Sequence, residues 1–222
     1  MRVLCIGDSL PLPREGCDYT DTWFARLKKA YPSVEFINDF KGGMTTMELL
    51  HSWNYMRHTN PDVVIIQEGI CDCAPRYVND NSLFWKVVIT VVEKLRIANL
   101  FWKIIKTRKR RATCTYTSKS AFYNNYDQLL RKIYEIGVKF IIIIKIGHGA
   151  SSIVLKSESF NKNVDLYNVI FDKLKIKYKD KLILADPLKQ VDDSLFVDGY
   201  HCNRAGMNLV FLELTTILEP IV

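Results

Sequence analysis

Val3-Leu4-Cys5-Ile6-Gly7-Asp8-Ser9-Leu10 stands near the start of the chain, four apolar residues followed at once by a glycine, an acid and a hydroxyl. The apolar run is too short for a core helix and ends on a Gly-Asp turn signal, so it reads as a buried strand leading into a loop. A serine just beyond such a strand exposes its hydroxyl in a cleft at the sheet edge. It remains a weak nucleophile until a base takes its proton and a third group holds that base. Asp198-Gly199-Tyr200-His201, near the other end, supplies both residue types three positions apart. Ser9 is therefore the candidate nucleophile, His201 the general base and Asp198 the group that orients it.

Working outward, short apolar runs alternate with longer helical patterns, which is the α/β signature. Candidate strands are Arg2–Ile6, Val34–Asn38, Val63–Gln67, Phe140–Ile146 and Leu182–Ala185. The third and fourth are β-branched without alternation, as parallel strands covered on both faces are. Helical patterns fall at Thr20–Tyr31, Thr45–Met56, Leu83–Thr107, Phe122–Ile136 and Ser159–Lys177, with a last helix from Asn203 to Leu218. Asn203 is a fitting N-cap and Pro220 follows the end. The expected fold is a three-layer α/β/α domain with a central parallel five-stranded sheet, flavodoxin-like. Residues 1–222 read as one domain, with a helical insertion at about 77–111. Strand C-terminal ends then share one edge, which gathers the loops carrying Ser9, Gly43, Cys71 and His201.

Bulk properties narrow the class. With 222 residues, 48% hydrophobic and 25% charged, the chain has the composition of a globular protein. Met1-Arg2 leads directly into the first strand, without a secretory apolar region, and no apolar run reaches the length of a spanning helix. The six cysteines follow no small-domain disulfide spacing, so a reducing, cytoplasmic setting is expected. Cys71 and Cys73 form Cys-x-Cys rather than a zinc-knuckle Cys-x-x-Cys, and no metal or other cofactor is expected.

The Gly7-Asp8-Ser9-Leu10 block after the first strand, paired with Asp198-x-x-His201 before the last helix, resembles the GDSL, or SGNH, hydrolases. That resemblance implies an SGNH-hydrolase fold, a serine ester hydrolase needing no cofactor, and two further oxyanion donors besides the Ser9 N–H. The first is a glycine after the second strand; Gly43 in Asp39-Phe40-Lys41-Gly42-Gly43-Met44 matches best, with Gly42 as the alternative. The second is the Asn of a Gly-x-Asn-Asp block after the third strand. Here the chain departs, reading Gly69-Ile70-Cys71-Asp72. A thiol is a weak donor, so with Cys71 there one arm of the hole is weakened or supplied by another group.

The longer string Gly69-Ile70-Cys71-Asp72-Cys73-Ala74-Pro75-Arg76 is similar to SGNH-like proteins of bacterial surface-polysaccharide biosynthesis. This resemblance implies removal of an acyl group, an acetyl first, from a carbohydrate or glycolipid precursor. Asp8, Asp72 and Arg76 are the side chains expected to face substrate, Arg76 through bidentate pairing with a phosphate or sugar carboxylate. Two other activities use the same scaffold: O-acyl transfer to a sugar hydroxyl, and non-catalytic sugar binding.

The pattern from Leu83 to Thr107 carries more apolar residues than one helix face needs, and the basic residues Arg108, Lys109, Arg110 and Arg111 follow it. Sheet covering, a homodimer interface and a peripheral contact with the inner membrane all fit this composition. Nucleic acid is not expected, since no binding motif accompanies the charge.

Overall fold

The computed structural model describes residues 1–78, 83–107, 114–189 and 192–222. Among them, five strands form one parallel sheet in the order β2-β1-β3-β4-β5. These are β1 (Arg2–Gly7), β2 (Glu35–Phe40), β3 (Val63–Gln67), β4 (Phe140–Ile144) and β5 (Leu182–Ala185). Order 2-1-3-4-5 is the flavodoxin-like winding, and its β1/β3 switch point is where ligands bind in such sheets. Ser9 leaves β1 at that point.

Side chains of one strand alternate between faces, and the core divides accordingly. Leu4, Ile6, Val64, Ile66, Ile141 and Ile143 pack on one side. There they meet α2 (Thr46–Met56), α6 (Lys119–Glu135) and α8 (Phe160–Tyr178). Val3, Cys5, Val63, Ile65, Ile142 and Ile144 pack on the other, against α1 (Trp23–Ala30) and α9 (Arg204–Leu218). Every residue of β3 is buried, which explains why its sequence shows no polar alternation.

Four further α-helices among the described residues are short or lie apart from this sandwich. They are α3 (Ile70–Cys73) and the pair α4 (Leu83–Lys94) and α5 (Ala98–Thr107); the short α7 (Ser151–Val154) follows β4. The pattern expected to be a single helix from Leu83 to Thr107 is thus two helices. Arg96 takes a left-handed conformation, φ 56°. Its N–H donates to the Glu93 carbonyl while that of Ile97 donates to Val92, the paired bonds of a Schellman stop. Glycine usually holds that position; an arginine there gave the sequence no visible break. The strongly basic residues 108–111, and part of the insertion expected at 77–111, lie outside the described residues.

Candidate active site

β1 brings the nucleophile to the edge through an unusually close strand contact. A Cβ on Gly7 would sit 2.3 Å from the Gln67 carbonyl oxygen, so only glycine lets β1 and β3 approach there. The Asp8 N–H then donates to that same carbonyl, 3.2 Å, and the chain turns outward. Arg14 fixes the turn from below, its Nη2 donating to the Ser9 carbonyl oxygen at 2.5 Å.

On the opposite side, Phe196 and Cys202 bridge a loop whose tip is Asp198-Gly199-Tyr200-His201. Gly199 has φ 103°, and a Cβ there would strike Ile153 at 2.4 Å, so the loop packs closely on α7. Asn203 caps α9, accepting from Ala205 and Gly206 N–H. His201 is thereby held between a rigid loop and a rigid helix.

These two loops, 192 positions apart in sequence, meet. Ser9 Oγ lies 2.9 Å from His201 Nε2, and His201 Nδ1 lies 2.7 Å from Asp198 Oδ2. Asp198 accepts only, so the ring proton belongs on Nδ1, leaving Nε2 to accept from the serine hydroxyl. Asp198 is itself set by the backbone N–H of His201, 3.1 Å from Oδ1. Tyr200 adds a wall, its ring tilted 34° and centred 4.2 Å from that of His201.

The electrostatics suit a base. Burial holds the His201 pKa below its ordinary 6.5, and the positive charge of Arg14 adds to this against the opposing pull of Asp198. The imidazole is therefore neutral at neutral pH and able to take a proton. Burial alone would raise Asp198, but the hydrogen bonds from the His201 ring and backbone bring it below its ordinary value.

The candidate oxyanion side is built from backbone. In the turn after β2, Lys41 N–H donates to the Gly7 carbonyl and Met44 N–H to Lys41. The Gly42 and Gly43 amides, like that of Ser9, have no backbone acceptor among the described residues. Gly43 has φ 77°, whereas Gly42 comes nearer the nucleophile, a Cβ there lying 4.0 Å from the Ser9 Cβ. Cys71 sits in the first turn of α3, half-buried. Burial first, then the neighbouring acids, push its thiol far above the ordinary range. It stays an S–H, neither a thiolate nucleophile nor a strong donor.

Two expected substrate contacts are corrected. Asp8 and Asp72 are both fully buried and face inward. Asp8 Oδ1 accepts the Leu10 N–H at 2.8 Å, bracing the nucleophile loop. Asp72 accepts the Thr46 N–H and hydroxyl at 3.0 and 2.8 Å, tying α3 to the start of α2. Arg76 is exposed, with its guanidinium over the Tyr116 ring at 5.5 Å. Among the described residues no three His, Cys, Asp or Glu side chains converge as a metal site.

Sequence reading overlooked Arg14 and Glu68. Glu68 follows β3, is 1% exposed, and neither carboxyl oxygen accepts a hydrogen bond. A buried carboxylate without donors is too costly, so it holds a proton. Burial, then the neighbouring Asp8 and Asp72 charges, raises Glu68 well above the usual carboxyl range. Burial likewise pushes Asp8 up to about 7 and raises Asp72. An acid raised on folding binds more protons folded than unfolded. Its stabilising share is full below the unfolded range and is lost as pH climbs through the folded pKa. The melting temperature should therefore fall between pH 5 and 8. In Glu68→Gln the fall should be shallower by roughly 3–5 °C per pH unit, one proton fewer being released. Equal slopes in scanning calorimetry would show that Glu68 carries no such proton.

No protein-family model matches the chain, and neither does any curated protein sequence. Solved structures of similar fold span nearly its whole length. An acetyl xylan esterase, AlAXEase, is 17% identical with TM-score 0.66, covering 98% of this chain and 100% of its own. The lipase/acylhydrolase from Enterococcus faecalis is 17% identical with TM-score 0.64, covering 99% and 96%. A lipolytic protein of the G-D-S-L family from Veillonella parvula DSM 2008 is 11% identical with TM-score 0.65, covering 99% and 98%. At such identities the likeness is one of fold: a five-stranded parallel sheet between helical layers, as in the SGNH hydrolases.

Proposed function

We propose that this protein is a serine ester hydrolase that removes an acyl group, an acetyl first, from a sugar or glycolipid precursor of surface polysaccharide. The observation that carries the chemistry is the continuous Ser9–His201–Asp198 hydrogen-bond chain at the switch point of the sheet. His201 takes the Ser9 proton as Oγ attacks the ester carbonyl. The developing oxyanion is received by the amides of Ser9 and the Gly42-Gly43 turn. The alkoxide leaves with the proton held on His201 Nε2, giving acyl-serine and a free sugar hydroxyl. Water, deprotonated by the same imidazole, then releases the carboxylic acid.

The carbohydrate part of the reading is supported by the Gly69–Arg76 string and by exposed Arg76, whose fork suits a phosphate or sugar carboxylate. Among the similar folds is an acetyl xylan esterase. The experiment is to incubate the protein with acetylated oligosaccharides and with a simple acetyl ester, and to measure free acetate. Acetate release, together with labelling by a fluorophosphonate probe, is expected. Acetate appearing only as a new sugar ester would make the enzyme a transferase. Sugar binding without labelling or release would make it a binding protein.

A further inference from the structure

The α4–α5 hairpin turns many large apolar side chains to solvent. Leu83, Phe84 and Val87 are 79, 67 and 61% exposed, and Leu95 and Leu100, across the turn, are 62 and 59% exposed. Trp85, Phe101 and Trp102 are half-buried behind them, and Val92 is buried. A helix apolar around its circumference needs a cover on each side, and contiguous exposed apolar surface marks an interaction site.

Charge identifies the cover. From Lys94 to Arg111 the sequence holds eight Lys and Arg and no acid, so this segment carries +8. The whole chain is +7, so the rest sums to −1. In sequence, the chain's entire cationic excess therefore falls in the segment that includes α5 and the end of α4, and of its described side chains Lys94, Arg96 and Lys103 are exposed. A two-fold dimer through this face would set the same cations against themselves, since such an interface pairs one patch with its copy. Anionic lipid headgroups complement the charge, and the acyl region beneath receives Leu, Phe and Trp side chains. The helices have 12 and 10 residues, about 18 and 15 Å at ~1.5 Å per residue, against a hydrocarbon core of ~30 Å. No described helix is long and apolar enough to cross a membrane.

We propose that the α4–α5 hairpin is a membrane-docking element that lies in the headgroup plane of an anionic bilayer. In chain order it follows α3, the short helix that carries Cys71. Docking is independent of the hydrolase reading, because it rests on the hairpin's exposure and charge alone.

The test is co-sedimentation with vesicles of phosphatidylglycerol and phosphatidylcholine, or of phosphatidylcholine alone. Binding is expected to the anionic vesicles at 0.1 M salt and to weaken at least tenfold at 1 M, where screening is nearly complete. Leu83→Ser/Phe84→Ser should abolish it, and Lys94→Gln/Arg96→Gln/Lys103→Gln should weaken it about tenfold or more. Both variants should keep wild-type melting temperatures, since the altered side chains are exposed. Their hydrolysis of a water-soluble acetyl ester should be unchanged, which separates loss of docking from loss of the site. Absence of vesicle binding would overturn the proposal. So would a dimer in light scattering that Leu83→Ser/Phe84→Ser makes monomeric with vesicle binding absent, which would assign the face to a second copy.

Discussion

Replacing Ser9 by alanine is expected to lower kcat/KM for an acetyl ester by on the order of 10⁴–10⁶, the scale set by removing a triad nucleophile that acts as a unit with its base. The change removes one oxygen from a half-buried position and leaves the loop's own anchors in place. Those anchors are Asp8 Oδ1 on the Leu10 N–H and Arg14 on the Ser9 carbonyl, neither of which uses the hydroxyl. The melting temperature should therefore stay within a few degrees of wild type, and glycan binding should persist. Fluorophosphonate labelling should vanish. Because burial keeps His201 below 6.5, the wild-type rate should also decline on acidification with a midpoint below 6.5, as the base becomes charged and unable to accept the serine proton. His201→Ala should cost about as much as Ser9→Ala, and the two together little more. Ser9→Ala retaining full turnover would remove the serine from the chemistry, and a labelling site elsewhere would show where to look.

The meeting of Ser9, Asp198 and His201 was legible because it depends on residue type and on the strand–helix order that carries them to one edge. Neither needs tertiary detail. The central strands were legible for a related reason: Val63–Gln67 and Phe140–Ile144 are buried on both faces, and continuous β-branched residues have few other uses. What failed was direction and exception. Asp8 and Asp72 stand at the sheet edge, yet their side chains turn inward, because the nucleophile loop and the α2 terminus have N–H groups to satisfy there. Nothing in one sequence says which way an edge carboxylate points. Glu68 stayed hidden because a buried acid is normally selected against, and only its neighbours show that it is neutral. Arg14 serves through a carbonyl contact that leaves no motif. Arg96 in a left-handed conformation breaks the long helix where glycine would have announced the stop.

The position that separates this site from the SGNH pattern gives the other large expected effect. Cys71→Asn should raise kcat for a simple acetyl ester by on the order of 10²-fold, the inverse of removing one oxyanion donor from a serine protease. The physical case has two parts. The Cys71 thiol is held protonated by burial and by the acids around it, so it offers only a weak S–H. The residue is also half-buried at the start of α3 rather than sealed, so a side chain two heavy atoms larger has somewhere to extend. Cys71→Ala should then leave kcat within a fewfold of wild type, since little donation is lost. KM should change less than kcat in the Asn variant, because the charge being stabilised exists only in the transition state. A fall in kcat for Cys71→Asn at unchanged melting temperature would mean that the thiol shapes the acyl pocket instead. The oxyanion would then be served by the Ser9 and Gly42-Gly43 amides alone.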